Sequence, residues 1–287
     1  MDVLTSLTSA FNLPFMGRAL LVLIALSIAA GLIGVLINLR GLEFVADGLT
    51  HAVFPGIAAG FIVAGNPGVL VGALIAAGAA TIVLTLLSNN KISSDATTAI
   101  VLTAMFSIGV IIVSSSPSRS GGLEQLLFGH LLTLTDTTAL ITVVVAAVAA
   151  LLVLLTLRRQ IYRSFDEVSS VASGYNRVVT DLILNIAIAL VIVAASTAIG
   201  NLLVLAILIV PGALARLVST KLSVIFGVAI ASGILASWLG LAAGFTFSVN
   251  QGVNMPGGAT VALAFISFYA VALLINLVAK RVRTWAI

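Results

Sequence analysis

Apolar runs of about twenty residues, each closed by a short polar or turn-forming stretch, follow one another along almost the whole chain. The runs are continuous rather than alternating, which suits membrane-crossing helices and not barrel strands with their dyad pattern. With roughly 20 residues needed per crossing, nine spans are predicted: Gly17 to Leu39, Leu42 to Ala64, Gly68 to Leu87, Asp95 to Ser115, Thr137 to Leu157, Val178 to Ile199, Asn201 to Val218, Leu222 to Phe245 and Gly258 to Ala279. The expected fold is all-α, a single polytopic transmembrane helical bundle over residues 1–287. Residues 1–16, interrupted at Pro14, read as an interfacial lead-in, without the basic region and cleavage site of a signal peptide.

Small residues recur about four apart in several spans: Gly56, Ala59 and Gly60, then Gly72, Ala76 and Ala80, then Gly233, Ala236 and Gly240. In lipid such spacing lets helix backbones approach closely. Pro55 and Pro211 lie inside spans and should kink or unwind them locally.

The polar stretches differ in charge. When the spans alternate across the membrane, Arg40, Lys91, Arg158, Arg159, Arg163, Arg177, Arg216, Lys221, Lys280, Arg281 and Arg283 fall on one side, and only Arg18 and Arg119 on the other. The positive-inside rule makes the first side cytoplasmic and places the C-terminus there. An eight-span version would alter only the placement of Met1 to Gly17.

Two connections are long. Ser116 to Asp136, external, ends in an amphipathic stretch through Leu127-Phe128-Gly129-His130 that suits a surface or re-entrant helix as well as a plain connector. The cytoplasmic one, residues 158–177, contains Ser164 as a candidate N-cap, Asp166 and Glu167 for the first turn and Gly174 as a C-cap, so a two-turn helix is expected.

Composition strengthens this picture: 61% of the 287 residues are hydrophobic and 8% charged, with mean hydropathy +1.29. The net charge of +4 sits in clusters at the ends of apolar runs, as topology signals rather than a nucleic-acid surface. With no cysteine, a metal site would have to use oxygen and nitrogen ligands. No G-x-x-x-x-G-K-[ST] phosphate loop is present, so the chain is not expected to hydrolyse ATP by that route.

Against this background Asp47 and His51 stand out, four residues apart on one helical face. A carboxylate at that depth costs about 2.5 to 3.5 kcal/mol on insertion scales, so it lines a pathway or finds a partner. A carboxylate with an imidazole suits divalent Mn, Fe or Zn, although two ligands leave the shell incomplete. A mutual structural pair is the competing explanation. Glu43 is a candidate contact near the cytoplasmic end of the same span. Asp181 is expected to pair with Arg177, and Asp95 to cap the fourth span.

The pattern Arg40-Gly41, Asp47, His51, Pro55-Gly56 resembles that of the permease subunits of bacterial ABC importers for manganese, zinc and iron. Ser94-Asp95-Ala96, Leu127-Phe128-Gly129, Phe165-Asp166 with Ala172 and Gly174, Gly200 through Pro211 and Ala215, and Pro256-Gly257-Gly258 extend the resemblance over most of the chain. Ala99 stands where relatives usually carry glycine, and His130 where they carry Asn or Ser. His130 is therefore either an extra external metal contact or a solvated loop residue.

The resemblance implies a multi-pass protein of the bacterial plasma membrane, homodimeric, with metal passing Asp47 and His51 as cargo and no permanently bound cofactor. Glu43, Pro55 and His130 are pathway or gate candidates. A cytoplasmic ATP-binding subunit would dock on Phe165, Asp166, Glu167, Ala172 and Gly174, and an extracellular or periplasmic metal-binding protein would deliver the ion. The rival from another class is a proton-coupled secondary transporter using the same pair as its relay.

Overall fold

The computed structural model describes residues 11, 13–88, 93–115, 131–252 and 255–285. Eleven α-helices are present among them: α1 (Pro14–Arg40), α2 (Glu43–Ala52), α3 (Phe54–Ala64), α4 (Asn66–Ser88), α5 (Ser94–Ser114), α6 (Asp136–Phe165), α7 (Glu167–Ala172), α8 (Arg177–Ile199), α9 (Asn201–Val218), α10 (Leu222–Gln251) and α11 (Gly257–Trp285). Each of the nine expected spans coincides with a helix or, for the second, with the pair α2 and α3. Eight are long and apolar enough to cross a membrane, and α9 is a shorter apolar helix. The first boundary needs correction, because Pro14 opens α1 instead of interrupting a lead-in. Proline is favoured there, where its missing N–H would have had no intrahelical acceptor.

Helices α1 and α8 form the centre of the bundle. Leu23, Leu26, Ile33, Leu36 and Ile37 of α1 and Leu184, Ile188 and Ile192 of α8 are fully buried. By contrast α5, α6 and α11 turn many apolar side chains outward, including Ile111, Leu155 and Ile275. Lipid tails are as apolar as these side chains, so burial alone does not drive the helices together. Close backbone approach does. Along the α3–α4 crossing, Gly56 faces the backbone of Gly72 and Gly60 that of Gly68, so closely that a Cβ at any of the four would run into the opposite chain. Gly34 of α1 meets Leu208 and Gly212 of α9 in the same way, and Gly240 of α10 meets Val261 of α11.

The two prolines behave differently. The second span breaks at Val53, and Pro55 sits in the first turn of α3. Pro55 has no N–H to offer the carbonyl of His51, so the ladder stops beside the candidate ligand. Pro211, in contrast, lies within an uninterrupted α9.

Buried polar contacts are few and matched between helices. Ser27 of α1 meets Ser237 of α10 at 3.2 Å, and Asn185 of α8 donates to the Thr85 hydroxyl of α4 at 3.0 Å. The α5 N-cap is Ser93, whose hydroxyl accepts from the Ala96 amide at 3.3 Å. Asp95 is in the first turn, so it is not the cap expected from the sequence. Both placements favour the positive end of the helix dipole.

Candidate functional site

Asp47 and His51 project from α2 as an i, i+4 pair, with His51 Nε2 3.5 Å from Asp47 Oδ1. Their side chains are 34% and 40% exposed, so neither is sealed in the core. Helical geometry explains the placement. At about 100° per residue, Glu43, Asp47 and His51 form one stripe, while Leu42, Val45 and Leu49 point to the opposite side. Val45 and Leu49 are buried accordingly. Gly48 lies against Thr98 of α5, so the two helices run close together there.

Aromatic rings border the pair. Phe106 of α5 meets the His51 ring edge-on at 5.9 Å between centroids, and Phe54 stacks on Phe106 at 5.8 Å. Gly109 leaves room for Phe54, whose ring a Cβ at that position would strike. The sequence offers no signal for Phe106, which is one phenylalanine among 13. Pro55 is buried, and Glu43 stands one turn away from Asp47 on the same stripe. No cluster of three or more His, Cys, Asp or Glu residues suited to a metal exists among the described residues. One chain thus presents two candidate ligands, each partly exposed. His130, with Arg119 and Leu127-Phe128-Gly129, lies outside the described residues.

The candidate docking residues gather at the end of α6 and on α7. Asp166, and not Ser164, caps α7: its carboxylate accepts from the Ser169 amide at 2.9 Å and hydroxyl at 2.5 Å. These bonds favour the ionised form and hold the Asp166 carboxyl below its ordinary pKa. Ser164 instead donates to the Gln160 carbonyl at 2.7 Å. Gly174 closes the turn with φ +85°, where a side chain would be strained. Phe165 is 69% exposed, and Val168 and Val171, which the sequence reasoning missed, are exposed as well. Two valines three apart, among the polar residues from Asp166 to Ser173, were the available signal. Ala172 is exposed beside them.

Glu167 does not point freely outward. It pairs with Arg163 at 2.9 Å and Arg177 at 2.7 Å. The expected pairing of Asp181 with Arg177 is also displaced: Asp181 binds Arg40 at 3.0 Å and Arg163 at 3.1 Å, with Arg177 at 3.9 Å. Sequence proximity identified the neighbour one turn away, whereas helix packing brought Arg40 from 141 residues away.

An all-helical bundle with eight helices long and apolar enough to cross a membrane has the architecture of a multi-span membrane permease, and known proteins place the chain in that class. The chain belongs to the ABC 3 transport family, whose family model matches residues 12–276. It is 32% identical over 257 residues to the manganese import system permease protein ScaB of Streptococcus gordonii, covering 89% of this chain and 91% of that protein. It is also 32% identical over 255 residues to the manganese transport system membrane protein MntC of Listeria monocytogenes, covering 88% and 90%. Among solved structures, a chain of PsaBC from Streptococcus pneumoniae in complex with Fab matches with a TM-score of 0.79 and 29% identity, covering 94% of this chain and 95% of that one.

Proposed function

We propose that the protein is the permease subunit of an ATP-driven importer that carries a divalent transition metal across the bacterial plasma membrane, with Asp47 and His51 on the path. The observation that carries this reading is the near full-length likeness to proteins named as a manganese import system permease and a manganese transport system membrane protein. Manganese is accordingly the first cargo to test. Zinc and iron remain compatible with oxygen and nitrogen ligands, because such a donor set discriminates through geometry and availability rather than raw affinity.

The open face of α2 supports a symmetric site. Two ligands 3.5 Å apart cannot replace a hydrated ion's shell. A second copy across a two-fold axis would add another Asp47 and His51, so that two carboxylates and two imidazoles surround the ion. A site divided between two chains can loosen when they move apart, which favours release over retention. Glu43, one turn further along the stripe, offers the next oxygen contact toward the cytoplasm, and the break before Pro55 lets α2 move separately from α3.

Energy would come from a cytoplasmic ATP-binding subunit docked on α7, where Phe165, Val168 and Val171 expose apolar surface beside a capped and ion-paired helix. An extracellular or periplasmic metal-binding protein would present the ion to the opposite side. With this orientation the clusters of Lys and Arg lie in the cytoplasm.

The test is uptake of radioactive Mn2+ by cells expressing the transporter with wild-type or substituted permease. Asp47→Asn and His51→Ala should each abolish uptake while the ATPase subunit still co-purifies. Normal uptake by both variants would remove the pair from the path. Uptake driven by an acid gradient without ATP would instead support the proton-coupled reading.

A further inference from the structure

Charged side chains from four helices form one connected network at the base of the pathway helix. Arg40 ends α1, and its side chain is only 8% exposed. Its Nε donates to the Ser164 hydroxyl at 3.1 Å, Nη1 to Asp181 at 3.0 Å, and Nη2 to the Gln160 carbonyl at 3.1 Å and side-chain oxygen at 2.6 Å. Gln160 is itself fully buried and donates to the Thr180 carbonyl at 3.1 Å. Asp181 passes to Arg163, and Arg163 to Glu167 on α7. Three successive ion pairs therefore join the candidate docking helix to the end of α1.

That end is also the base of α2. Gly41 follows Arg40 with φ +65°, a left-handed conformation that turns the chain sharply, and α2 begins at Glu43. Between the network and the rear of α2 lies a cavity of about 430 Å³, whose lining includes Leu42, the N-cap residue of α2, Val45 of α2, Thr98 of α5 and Asn185 of α8. Asp47 and His51 face the other way. The cytoplasmic half of α2 is thus anchored at its base, incompletely backed behind, and loaded with the candidate ligands in front.

We infer that Arg40 and Asp181 are positioning residues that transmit displacement of α7 to α2, coupling ATP hydrolysis on the partner to opening and closing of the Asp47–His51 site. This rests on the transport reading above. Buried guanidinium–carboxylate contacts suit the role because their geometry is directional, and misplacement leaves desolvated charge unpaired. The cavity leaves the base of α2 less tightly backed around Val45 than the helix is further along, where Gly48 meets Thr98 and Leu49 is fully buried.

The experiment uses the assembled transporter with its ATPase subunit in proteoliposomes, recording Mn2+ uptake and phosphate release on the same preparation. Arg40→Gln and Asp181→Asn are expected to keep ATP hydrolysis within about two-fold of wild type while uptake per ATP falls at least ten-fold. Arg40→Lys and Asp181→Glu, which keep the charge but not the set of separate contacts that the guanidinium makes to Ser164, Asp181 and Gln160 and the carboxylate to Arg40 and Arg163, should fall between. Arg216→Gln provides the control. Arg216 donates to the Asn38 carbonyl at 2.7 Å and side-chain oxygen at 2.9 Å, holding the same end of α1 without reaching α7, so uptake per ATP should stay at the wild-type value.

A clamp with only a structural role would lower yield or thermal stability and leave uptake per ATP unchanged in the protein that remains. That result, in either the neutralising or the charge-keeping variants, overturns the inference. Where a neutralising variant fails to assemble, the charge-keeping one decides. Failure of the wild-type complex to move Mn2+ in response to ATP would refute the transport reading instead.

Discussion

Replacing Gly56 by alanine adds one methyl group at the tightest point of the α3–α4 crossing. The new Cβ would overlap the Gly72 carbonyl oxygen and stand 2.5 Å from the Ala76 Cβ. Carbon atoms pack comfortably at about 3.5 to 4.0 Å, so the two helices would have to part by roughly 1 Å. They cannot part at that point alone, because Gly60 and Gly68 make the same approach one turn away. Overpacking of this kind costs about 1 to 3 kcal/mol. Gly78→Ala, on the same α4, is the matched control: its Cβ would meet nothing within 4 Å. There the intrinsic helix preference of alanine, about 0.5 to 1 kcal/mol, should dominate with the opposite sign. Unfolding of the purified permease by increasing SDS in mixed micelles would measure both. Gly56→Ala should unfold at lower SDS than wild type, and Gly78→Ala at the same or higher SDS. If Gly56→Ala proved at least as stable as Gly78→Ala, backbone approach would not be what holds α3 against α4.

Three further outcomes are expected. Ser27→Ala or Ser237→Ala should each cost about 0.6 kcal/mol and at most about 1.7, the range for membrane hydrogen bonds. The double variant should be less destabilised than the sum of the singles, and strict additivity in SDS unfolding would show that the hydroxyls do not interact. Val168→Asp should weaken co-purification of the ATPase subunit without lowering thermal stability, since that side chain is 79% exposed, and undiminished association would remove it from the docking face. The lowered Asp166 pKa sets a direction in pH: its contribution to α7 is complete above the ordinary value of 3.8 and lost as pH falls through the lower folded value. Thiol labelling of a Val168→Cys variant should therefore stay constant from pH 7 to ~4 once corrected for thiolate fraction, and a change beginning near neutrality would contradict the cap.

The spans were legible because a membrane imposes a length and a composition on each helix independently of its neighbours. Their observed limits lie close to the apolar runs, apart from longer ends on α6, α10 and α11. The break at Pro55 was legible too, but the same missing N–H leaves α9 uninterrupted at Pro211, so the proline by itself did not say which helix would break. The partner of Asp181 was not. Arg177 lies within reach along the helix, but Arg40 and Arg163 arrive from other helices and take the carboxylate first. The caps of α5 and α7 each shifted by two residues for a local reason, because several Ser and Asp residues stand together and backbone geometry selects among them.

For the candidate site, spacing alone placed Asp47 and His51 on one face of a helix, and lipid depth made their polarity costly enough to notice. Which side of α2 is open, which aromatic rings border the pair and what stands behind it depend on how α4, α5 and α8 pack around that helix. The sequence by itself determined the helices and the side-chain stripes they carry, since both follow from 3.6-residue periodicity and the cost of polar groups in hydrocarbon. Only the tertiary structure decided that the base of α2 is tied to α7 through Arg40, Asp181, Arg163 and Glu167, because the contact that closes the chain, Arg40 with Asp181 at 141 positions apart, is set by backbone approach between helices.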